Sequence, residues 1–404
     1  MRTKRGSASR RRRDAAVKPA AKTNKLANFY AMEGAVRGSI DLPFLVIVLV
    51  LLLMGLVALF TASHASAYYQ YGDSYYYIKR QSMFAAVGIA AMLAAAYPHY
   101  NLYRKYALHF YVLTVVMLVM VLVPGIGIES YGATRWLGIG PLQFQPSELA
   151  KLAIVVAFAK YIDINYERMN KFSVGILPFV AFLGIMAALV VLEKHFSGTI
   201  LIVLIGIVLM AVGGSPMRWI VGAGTVGAAG MLGMMLFTEL GEHAKTRIDA
   251  WLDPFSYVQT DAWQAIQSLY AIGSGGLTGL GLGNSRQKYL YLPKPENDFI
   301  FSVVCEELGF IGAVVIIIFF ILLVWRGFVI AFKAPDRFSS LVVIGIITHV
   351  AIQVIFNIAV VTNLFPTTGI SLPFFSSGGT SLVILLAEMG IVLAISRYAK
   401  VEKT

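Results

Sequence analysis

Long apolar segments recur along the 404-residue chain and restrict its fold more than any other feature of the sequence. About 20 consecutive apolar residues are needed for a helix to cross a bilayer core of roughly 30 Å. The composition agrees, because 58% of the residues are hydrophobic, 13% are charged and the mean hydropathy is +0.74. Soluble domains are about one quarter charged. The chain is therefore predicted to be a polytopic membrane protein.

The apolar segments predict an all-α fold, because lipid offers no partner to an unpaired backbone group and helices satisfy their own. A transmembrane β-barrel would show alternating segments of about 10 residues, which the sequence lacks. Ten spans are predicted, of which the second and fourth are short for spanning helices: about 42–62, 83–97, 106–123, 148–162, 174–192, 197–213, 219–237, 299–325, 340–361 and 380–397.

The predicted spans divide the chain into three parts. A basic cytoplasmic tail, expected to be disordered, covers residues 1–41, one ten-helix membrane domain covers 42–397, and a short cytoplasmic tail covers 398–404. The largest loop, 238–298, lies between helices 7 and 8 and carries helical patterns at 240–252 and from Trp263 to Ile272. The first span is longer than the 7–15-residue core of a signal peptide, so we expect it to be retained.

The Lys and Arg residues predict the orientation, because they concentrate on the cytoplasmic side of membrane proteins. With the amino terminus inside, the inner segments hold 23 of the 33 Lys and Arg residues and the outer loops hold nine. Eleven of them lie in residues 2–37, which favours attraction to anionic membrane lipids rather than binding of nucleic acid. Both termini are therefore predicted to be cytoplasmic and the large loop extracytoplasmic.

The large loop contains a glycine-rich run from Gly273 to Gly283. Gly-x-Gly spacing also occurs in dinucleotide-binding loops, but those need a preceding strand and a following helix in a βαβ unit. Neither is predicted here, so the glycines indicate a tight, close-packed loop at the outer face of the membrane. Cys305 is the single cysteine of the chain, so an intrachain disulfide is excluded.

Asp298 lies where the large loop enters the eighth span. It shares one predicted helix face with Ser302 and Glu306, because these residues recur at intervals of four. Asp298 or Asn297 could instead cap the helix, since both residue types accept hydrogen bonds from free amides at a helix start. Glu306 lies two turns deeper, where an ionised side chain costs about 2.5–3.5 kcal/mol, so it should face a cavity or a partner.

A second group of charges precedes the fourth span, in the segments 132–136 and 145–151. A proline at the first helical position and Glu148 in the first turn suit a helix start. Glu148 and Lys151 are three residues apart and can pair, so a capped, charge-paired helix start explains them structurally. However, Lys151 lies one turn inside an apolar segment, and Arg135 is isolated in a glycine-rich loop. Together the three charges suit binding of a diphosphate.

The last two spans carry polar residues inside apolar segments. His349, Gln353 and Asn357 share one face of the ninth, which predicts an interhelical hydrogen-bond network or a wet groove. The tenth carries Glu388 and follows a connection rich in Pro and Gly, residues 363–381. Such irregular backbone is tolerated at membrane depth where it lines a protein cavity.

Together these segments resemble the SEDS family (shape, elongation, division and sporulation proteins), whose members include FtsW and RodA. The motifs occur in the family's order and fit its ten-helix topology over residues 42–397. The matching segments are Gly132–Trp136, Gln145–Glu148 with Lys151, Arg247 with Trp251–Pro254, residues 267–288, residues 291–301 with Glu306–Gly309, Asn357, and residues 366–381.

The resemblance implies a peptidoglycan glycosyltransferase that polymerises lipid II at the outer face of the cytoplasmic membrane. The family's essential loop aspartate corresponds to Asp298, which is the expected catalytic base. Positive charge near the leaving diphosphate is expected from Arg135 and Lys151. The expected substrate-binding residues are Glu148, Lys151, Arg135, Ser147, Arg247, Lys288, Glu306, Ser377, Gly378 and Gly379.

The resemblance also implies partners. Family members work with a class B penicillin-binding protein, a transpeptidase that cross-links new strands. We expect that partner, together with lipid II, other division or elongation proteins and membrane lipids, but no nucleic acid. A divalent cation, Mg or Mn, could share the stabilisation of the leaving group, although the sequence has no dense carboxylate cluster.

One segment departs from the family pattern. Family members often carry Gln-Pro-Asp before a Gly-Thr pair, whereas residues 192–199 read Leu-Glu-Lys-His-Phe-Ser-Gly-Thr. A role tied to that aspartate is therefore open, unless Glu193 replaces it. The segment 360–381 resembles the division and sporulation branch more closely than the RodA branch, which favours a place at the division septum. The alternatives are a RodA-type elongation polymerase, a lipid II flippase that uses the intramembrane polar residues, and a non-catalytic scaffold.

Overall fold

The computed structural model describes residues 38–130, 133–139, 142–237, 248–257 and 262–400, and the compact unit of the chain begins at Ser39. The described helices are α1 (Leu42–Tyr71), α2 (Tyr76–Ala96), α3 (Asn101–Leu122), α4 (Pro146–Asn165), α5 (Leu177–Leu192), α6 (Phe196–Val212), α7 (Met217–Phe237), α8 (Trp263–Gly275), α9 (Ile300–Phe332), α10 (Arg337–Val361) and α11 (Thr380–Ser396). Shorter helical turns lie at Tyr166–Arg168, Phe172–Gly175, 248–252 and Pro254–Tyr257.

The prediction of an all-α polytopic fold is confirmed, since α1–α7 and α9–α11 correspond to the ten predicted spans. By length and composition, five of them can each cross a membrane unaided: α1, α3, α5 with its preceding turn, α9 and α10. The expected shortness of the second and fourth spans is wrong. Helix α2 has 21 residues and α4 has 20, and 1.5 Å per residue carries each across roughly 30 Å. The apolar segments were shorter than the helices because both helices begin with polar residues.

The segment between α3 and α4, predicted as a loop, instead forms a small antiparallel sheet of β1 (Gly127–Ser130), β2 (Ala133–Ile139) and β3 (Leu142–Phe144), in that order. The register pairs Leu137 of β2 with Gly127 on one side and Phe144 on the other. The three strands are too short to give a clear alternating pattern. The sheet places Arg135 beside the start of α4.

Helix α9 is interrupted at Gly309, whose φ of 65° and ψ of −168° are not helical. An interrupted helix leaves amides and carbonyls without partners. The glycine-rich run supplies them. The Leu280 amide donates to the Glu306 carbonyl (2.9 Å), and the Phe310 amide donates to the Gly276 carbonyl (2.9 Å). The large loop is therefore bonded into the break in α9.

Glycine is needed in this loop because the two backbones are nearly in contact. A Cβ on Gly279 would lie 2.2 Å from the Glu307 carbonyl oxygen, and one on Gly275 would lie 2.0 Å from that of Cys305. Side chains at these positions would push the loop away from α9. The run is a packing surface, and helix α8 leads directly into it, whereas a nucleotide loop would follow a strand.

Helix α8 fixes the other side of the loop. Its predicted start at Trp263 is confirmed, and it ends three residues later than predicted. Ser268 is fully buried, shares a hydrogen bond with Ser302 of α9 (2.8 Å) and donates to the Val361 carbonyl at the end of α10 (2.7 Å). Ser302, the middle residue of the polar face predicted on the eighth span, therefore packs against α8.

Charged residues join the helices at the opposite end of the bundle. Asp41 caps α1 by accepting from the Phe44 amide (3.0 Å), and its carboxylate accepts two hydrogen bonds from Arg326 of α9 (3.0 and 2.9 Å). Arg104 of α3 pairs with Asp163 and, at 3.3 Å, with Asp336. These pairs fix the ends of helices that the sequence separates widely.

We predict that Gly309→Ala destabilises the protein by more than the 1–2 kcal/mol that a left-handed residue costs an L side chain. The excess arises because the new Cβ would also lie 2.3 Å from the Gly279 nitrogen. The measurement is the thermal unfolding midpoint of purified protein in detergent. Gly273→Ala is the matched control, since its Cβ meets nothing within 4 Å. Equal midpoints for the two variants would contradict the proposed repair of the break.

Candidate active site

Asp298 is the residue before Phe299, which precedes the first turn of α9. The N-cap position of that helix is Phe299, so neither Asp298 nor Asn297 occupies the N-cap position itself. The Asp298 carboxylate lies instead against the turn that contains Gly369, because a Cβ on Gly369 would be 3.6 Å from Oδ2. Asp298 is half-buried, so part of its surface is accessible to a substrate.

The main chain on both sides of this carboxylate is held by α10. The Asn357 side-chain amide donates to the carbonyls of Asp298 and Ile370, each at 2.7 Å. One turn earlier, Gln353 donates to the Ser371 carbonyl (2.9 Å). The predicted polar stripe on the ninth span is thus confirmed as a hydrogen-bond network. Its function in the structure is to join the large loop to the 370–371 segment.

Glu148 and Lys151 form an ion pair in the first two turns of α4. Lys151 Nζ lies 2.9 Å from Glu148 Oε2, and the lysine side chain is only 2% exposed. Pro146 at the start of the helix and Glu148 in its first turn match the predicted helix start. A buried ammonium with a single carboxylate partner has capacity for further hydrogen bonds, because a lysine carries three donors.

Arg135 extends from β2 to the turn between α5 and α6. Its Nε donates to the Glu193 carbonyl (3.3 Å), and an Nη donates to the Lys194 carbonyl. A cation is favourable there, because the carbonyls at the end of a helix carry partial negative charge. The side chain is half-buried.

The start of α4 is connected with Asp298 through the turn between α5 and α6 and the turn that contains Gly369. On one side, Ser147 Oγ is hydrogen-bonded to His195 Nδ1 (3.1 Å). On the other, Ser197 Oγ donates to the carbonyl of Thr368, next to Gly369. These contacts link five of the predicted site residues indirectly, and we call them the site group: Arg135, Ser147, Glu148, Lys151 and Asp298.

Glu306 and Lys288 are placed elsewhere. Glu306 is fully buried and accepts hydrogen bonds from Ser285 Oγ and from the Arg286 amide (3.0 Å). Lys288 is paired with Glu307 at 3.0 Å, and both side chains are at most 3% exposed. Glu306 thus faces partners rather than a cavity. Both residues stabilise the large loop, and in the part of the chain that the structure describes their side chains are buried.

The Ser377–Gly379 turn lies on the α2 side of the large loop. The Ser377 amide donates to the Glu296 carbonyl (2.8 Å), two residues before Asp298. Gly379 adopts a φ of 50° and precedes α11, and its amide faces Gln81 of α2 (3.4 Å). These contacts position the loop and do not place the turn within the site group.

Glu193 and His195 occupy the segment where the family's aspartate is missing. Glu193 is 1% exposed, and both of its carboxylate oxygens lack a hydrogen-bond partner in the described structure. Burial raises the pKa of Glu193 to about 8, against the opposing effect of Arg135. Burial lowers the pKa of His195 to about 3, so its ring is neutral at pH 7. Because Gln145 Nε2 can only donate to His195 Nδ1, the ring proton is on Nε2.

Arg247 and Gly132 lie outside the described residues. Within the described residues, no three side chains of His, Cys, Asp or Glu lie together as metal ligands. The expected divalent cation therefore stays a prediction, and its ligands are not assigned to this chain.

These features define a polytopic helical membrane protein with a half-buried aspartate and a buried lysine–glutamate ion pair at one end of its bundle. A family model described as "Cell cycle protein", for FtsW, RodA and SpoVE, matches residues 42–401. The chain belongs to the FtsW/RodA/SpoVE family, as its motifs predicted.

Named relatives and solved structures support the same family. Stage V sporulation protein E of Bacillus subtilis is 40% identical over 369 residues, which cover 90% of this chain and 99% of the relative. The probable peptidoglycan glycosyltransferase FtsW of Trichlorobacter lovleyi is 38% identical and covers 89% and 94%. RodA of Thermus thermophilus matches with a TM-score of 0.66, 26% identity and coverage of 90% and 98%. A chain from a peptidoglycan synthase complex, described as coordinating polymerization and crosslinking, matches with a TM-score of 0.74 and 26% identity. The match covers 89% of this chain and 98% of that chain.

We predict that Glu193→Gln changes how stability depends on pH. A carboxyl whose pKa is higher in the folded than in the unfolded chain stabilises the fold most at low pH, and this contribution is lost as the pH rises towards about 8. The variant should match the parent near pH 5. At pH 9 it should be more stable by about 1–3 kcal/mol, the cost of an unsatisfied buried group.

The measurement is the thermal unfolding midpoint in detergent across that pH range. Glu129→Gln is the control, since Glu129 is an exposed glutamate on β1. The same pH dependence in the parent and in Glu193→Gln would contradict the account.

Proposed function

We propose that this protein polymerises lipid II into glycan strands at the outer face of the cytoplasmic membrane, for division or sporulation septum synthesis. The proposal rests chiefly on one observation: a half-buried Asp298, with its main chain fixed by Asn357, lies at the same end of the bundle as the Glu148–Lys151 pair. Family membership supports the same activity, since a relative of 38% identity is named "Probable peptidoglycan glycosyltransferase FtsW".

In this reaction a sugar hydroxyl of one lipid-linked substrate attacks the anomeric carbon of a second one, the donor. The bond between that carbon and the donor's polyprenyl diphosphate breaks. Asp298 takes the hydroxyl proton as the new glycosidic bond forms. The diphosphate leaves with the electron pair of the broken bond, and Lys151 and Arg135 stabilise its charge. A dry, preorganised cation has a stronger effect than a solvated one, which suits the burial of Lys151.

The orientation and the partner belong to the proposal as well. Both termini lie in the cytoplasm, the site group faces outward, and a class B penicillin-binding protein cross-links the product. The Lys and Arg distribution supports the orientation. The similarity to a chain of a complex that couples polymerization to crosslinking supports the partner.

The flippase alternative loses its main support. It relied on Glu306, His349, Gln353, Asn357 and Glu388 as a polar path through the bilayer. Glu306 is bonded to the 285–286 segment, and Gln353 and Asn357 are bonded to backbone carbonyls. A path for a lipid head group would require these contacts to break.

We predict that Asp298→Asn leaves the protein folded but reduces glycan formation from purified lipid II by about 10²–10⁴-fold, the usual contribution of a general base. The measurement is polymer length and yield from protein reconstituted with its transpeptidase. Asp73→Asn is the matched control, because Asp73 is paired with exposed Lys79 on the α1–α2 turn. Normal polymer from the Asp298 variant would refute the assignment.

We also predict that Lys151→Ala raises the KM for the lipid II donor, because the diphosphate loses its buried cation. Donor saturation curves in the same assay measure the change, with Lys79→Ala as the control for loss of a lysine at the outer surface. An unchanged donor KM would leave Lys151 with a structural role only.

The same vesicles separate the remaining alternatives. Labelled lipid II is scored for polymer and for movement across the bilayer, with and without the transpeptidase. Movement without polymer would favour the flippase, and neither activity would favour the scaffold.

A further inference from the structure

A cavity of about 250 Å³ lies between α1 and α9, and we call it the α1–α9 cavity. Helix α1 lines it from Leu53 to Thr61, and α9 lines it from Val304 to Ile316. The third part of its wall is Leu282, which belongs to the glycine-rich run. The cavity is therefore formed where the run bonds into the break in α9.

The cavity opens towards the lipid. Three of its lining side chains, Leu53, Val57 and Leu282, are exposed apolar groups, whereas Ala58 and Val304 are buried. Exposed apolar side chains on a spanning helix face the lipid tails. An apolar chain in the bilayer can therefore enter the cavity sideways, without passing through the head-group region.

Within the described wall, no charge is left unpaired. The wall is apolar apart from Thr61 and Glu307. Thr61 Oγ1 donates to the Ala58 carbonyl (3.1 Å). Glu307 is paired with Lys288 (3.0 Å), whose Nζ also donates to the Gly283 carbonyl (2.6 Å). Because both polar side chains already have partners, the cavity suits an uncharged, apolar ligand.

The size of the cavity fits a flexible chain better than a neighbouring helix. Leu53 and Thr61 lie about 12 Å apart along α1, whereas a second spanning helix would contact α1 over roughly 30 Å of bilayer. An apolar cavity of about 150 Å³ holds benzene, which has six carbon atoms. By the same ratio, 250 Å³ holds about ten carbon atoms, which is two five-carbon isoprene units.

The cavity is connected with Asp298 rather than with Lys151. Five residues after Thr61, Ser66 Oγ donates to Glu296 Oε2 (3.0 Å), two residues before Asp298. On α9, the lining begins six residues after Asp298. The residues that line the cavity include none from α4, which carries Lys151. In the proposed reaction Asp298 takes the proton of the attacking substrate, so the cavity belongs with that substrate.

We propose that the α1–α9 cavity binds the acceptor, the lipid-linked substrate whose hydroxyl attacks, by holding about two isoprene units of its polyprenyl chain. The inference rests on the proposed function, in which Asp298 takes the acceptor's proton and Lys151 stabilises the donor's diphosphate. Residues 53–61 belong to the half of the first predicted span nearer Asp298, so the units held are those next to the acceptor's head group. A chain fixed there directs the head group towards Asp298.

The expected effect is moderate. Lipid tails are as apolar as the cavity wall, so moving the chain between them yields no hydrophobic gain. What remains is dispersion contact with the wall, which the methyl branches of isoprene units make and a straight saturated chain lacks. A small number of such contacts corresponds to roughly a threefold to tenfold change in affinity. The inference therefore predicts a change in KM and not a loss of activity.

The test uses substrates that can act in one role only. The donor has its attacking hydroxyl blocked, and the acceptor has carbon in place of the anomeric oxygen, so that it keeps its diphosphate. The acceptor carries either a polyprenyl chain or a saturated, unbranched chain of the same length. Coupling is followed in phosphatidylcholine nanodiscs that contain the protein and its transpeptidase.

Ala58→Phe fills the cavity from α1. The matched control is Ala86→Phe, the same substitution at an exposed alanine of α2 that does not line the cavity. In the parent, the KM for the polyprenyl acceptor should be roughly threefold to tenfold lower than the KM for the saturated acceptor. Ala58→Phe should raise the polyprenyl value to the saturated one and leave the donor KM unchanged, whereas the control should match the parent. Should Ala58→Phe not fold, Val57→Phe at the exposed edge of the cavity should give the same result.

Three results would overturn the inference while coupling continues and the proposed function stands. Equal KM values for the two acceptors in the parent would mean that the cavity accepts any lipid chain. A raised donor KM in Ala58→Phe would assign the cavity to the donor. Loss of the transpeptidase from Ala58→Phe during purification would assign it to the partner's helix. Absence of coupling in the parent would refute the proposed function, and the inference with it.

Discussion

The structure depends on one constraint, which is that an unpaired backbone group finds no partner in lipid. The chain can interrupt a spanning helix only where another part of the protein supplies the missing hydrogen bonds. That happens at Gly309, where the glycine-rich run bonds to both sides of the break in α9. Repair of the break draws the large loop against the bundle, and Asp298 follows from that placement at the start of α9.

Buried charges obey the same rule in electrostatic form. An ion in a low-dielectric interior is retained only with a partner, and the described bundle pairs Asp41 with Arg326, Lys151 with Glu148, and Lys288 with Glu307. The first pair fixes helices at the end opposite the site, and the third fixes the large loop. Lys151 differs because its partner Glu148 lines a small polar cavity shared with His349, which makes it the charge best suited to respond to a ligand.

Much of the site was predictable because its residues carry local signals. Asp298 was recognised by its place at the end of a polar loop, and Lys151 by its place inside an apolar segment. Both interpretations depended on the family resemblance for their chemical roles. Lys288 and Glu306 belong to the same motifs, yet they stabilise the loop. Motif membership does not separate a residue that touches substrate from one that supports the residue that does.

The sequence by itself determined the helical membrane fold and the family, because hydropathy and motif order are local properties of the chain. It also predicted the outer position of the large loop and Asp298 as the base. Only the tertiary structure decided which polar side chains remain available for chemistry. Those decisions come from contacts between distant segments, such as Asn357 with Asp298 and His349 with Glu388. A buried hydrogen bond between distant segments forms only where the fold places them in contact, and neither segment's sequence specifies that contact alone.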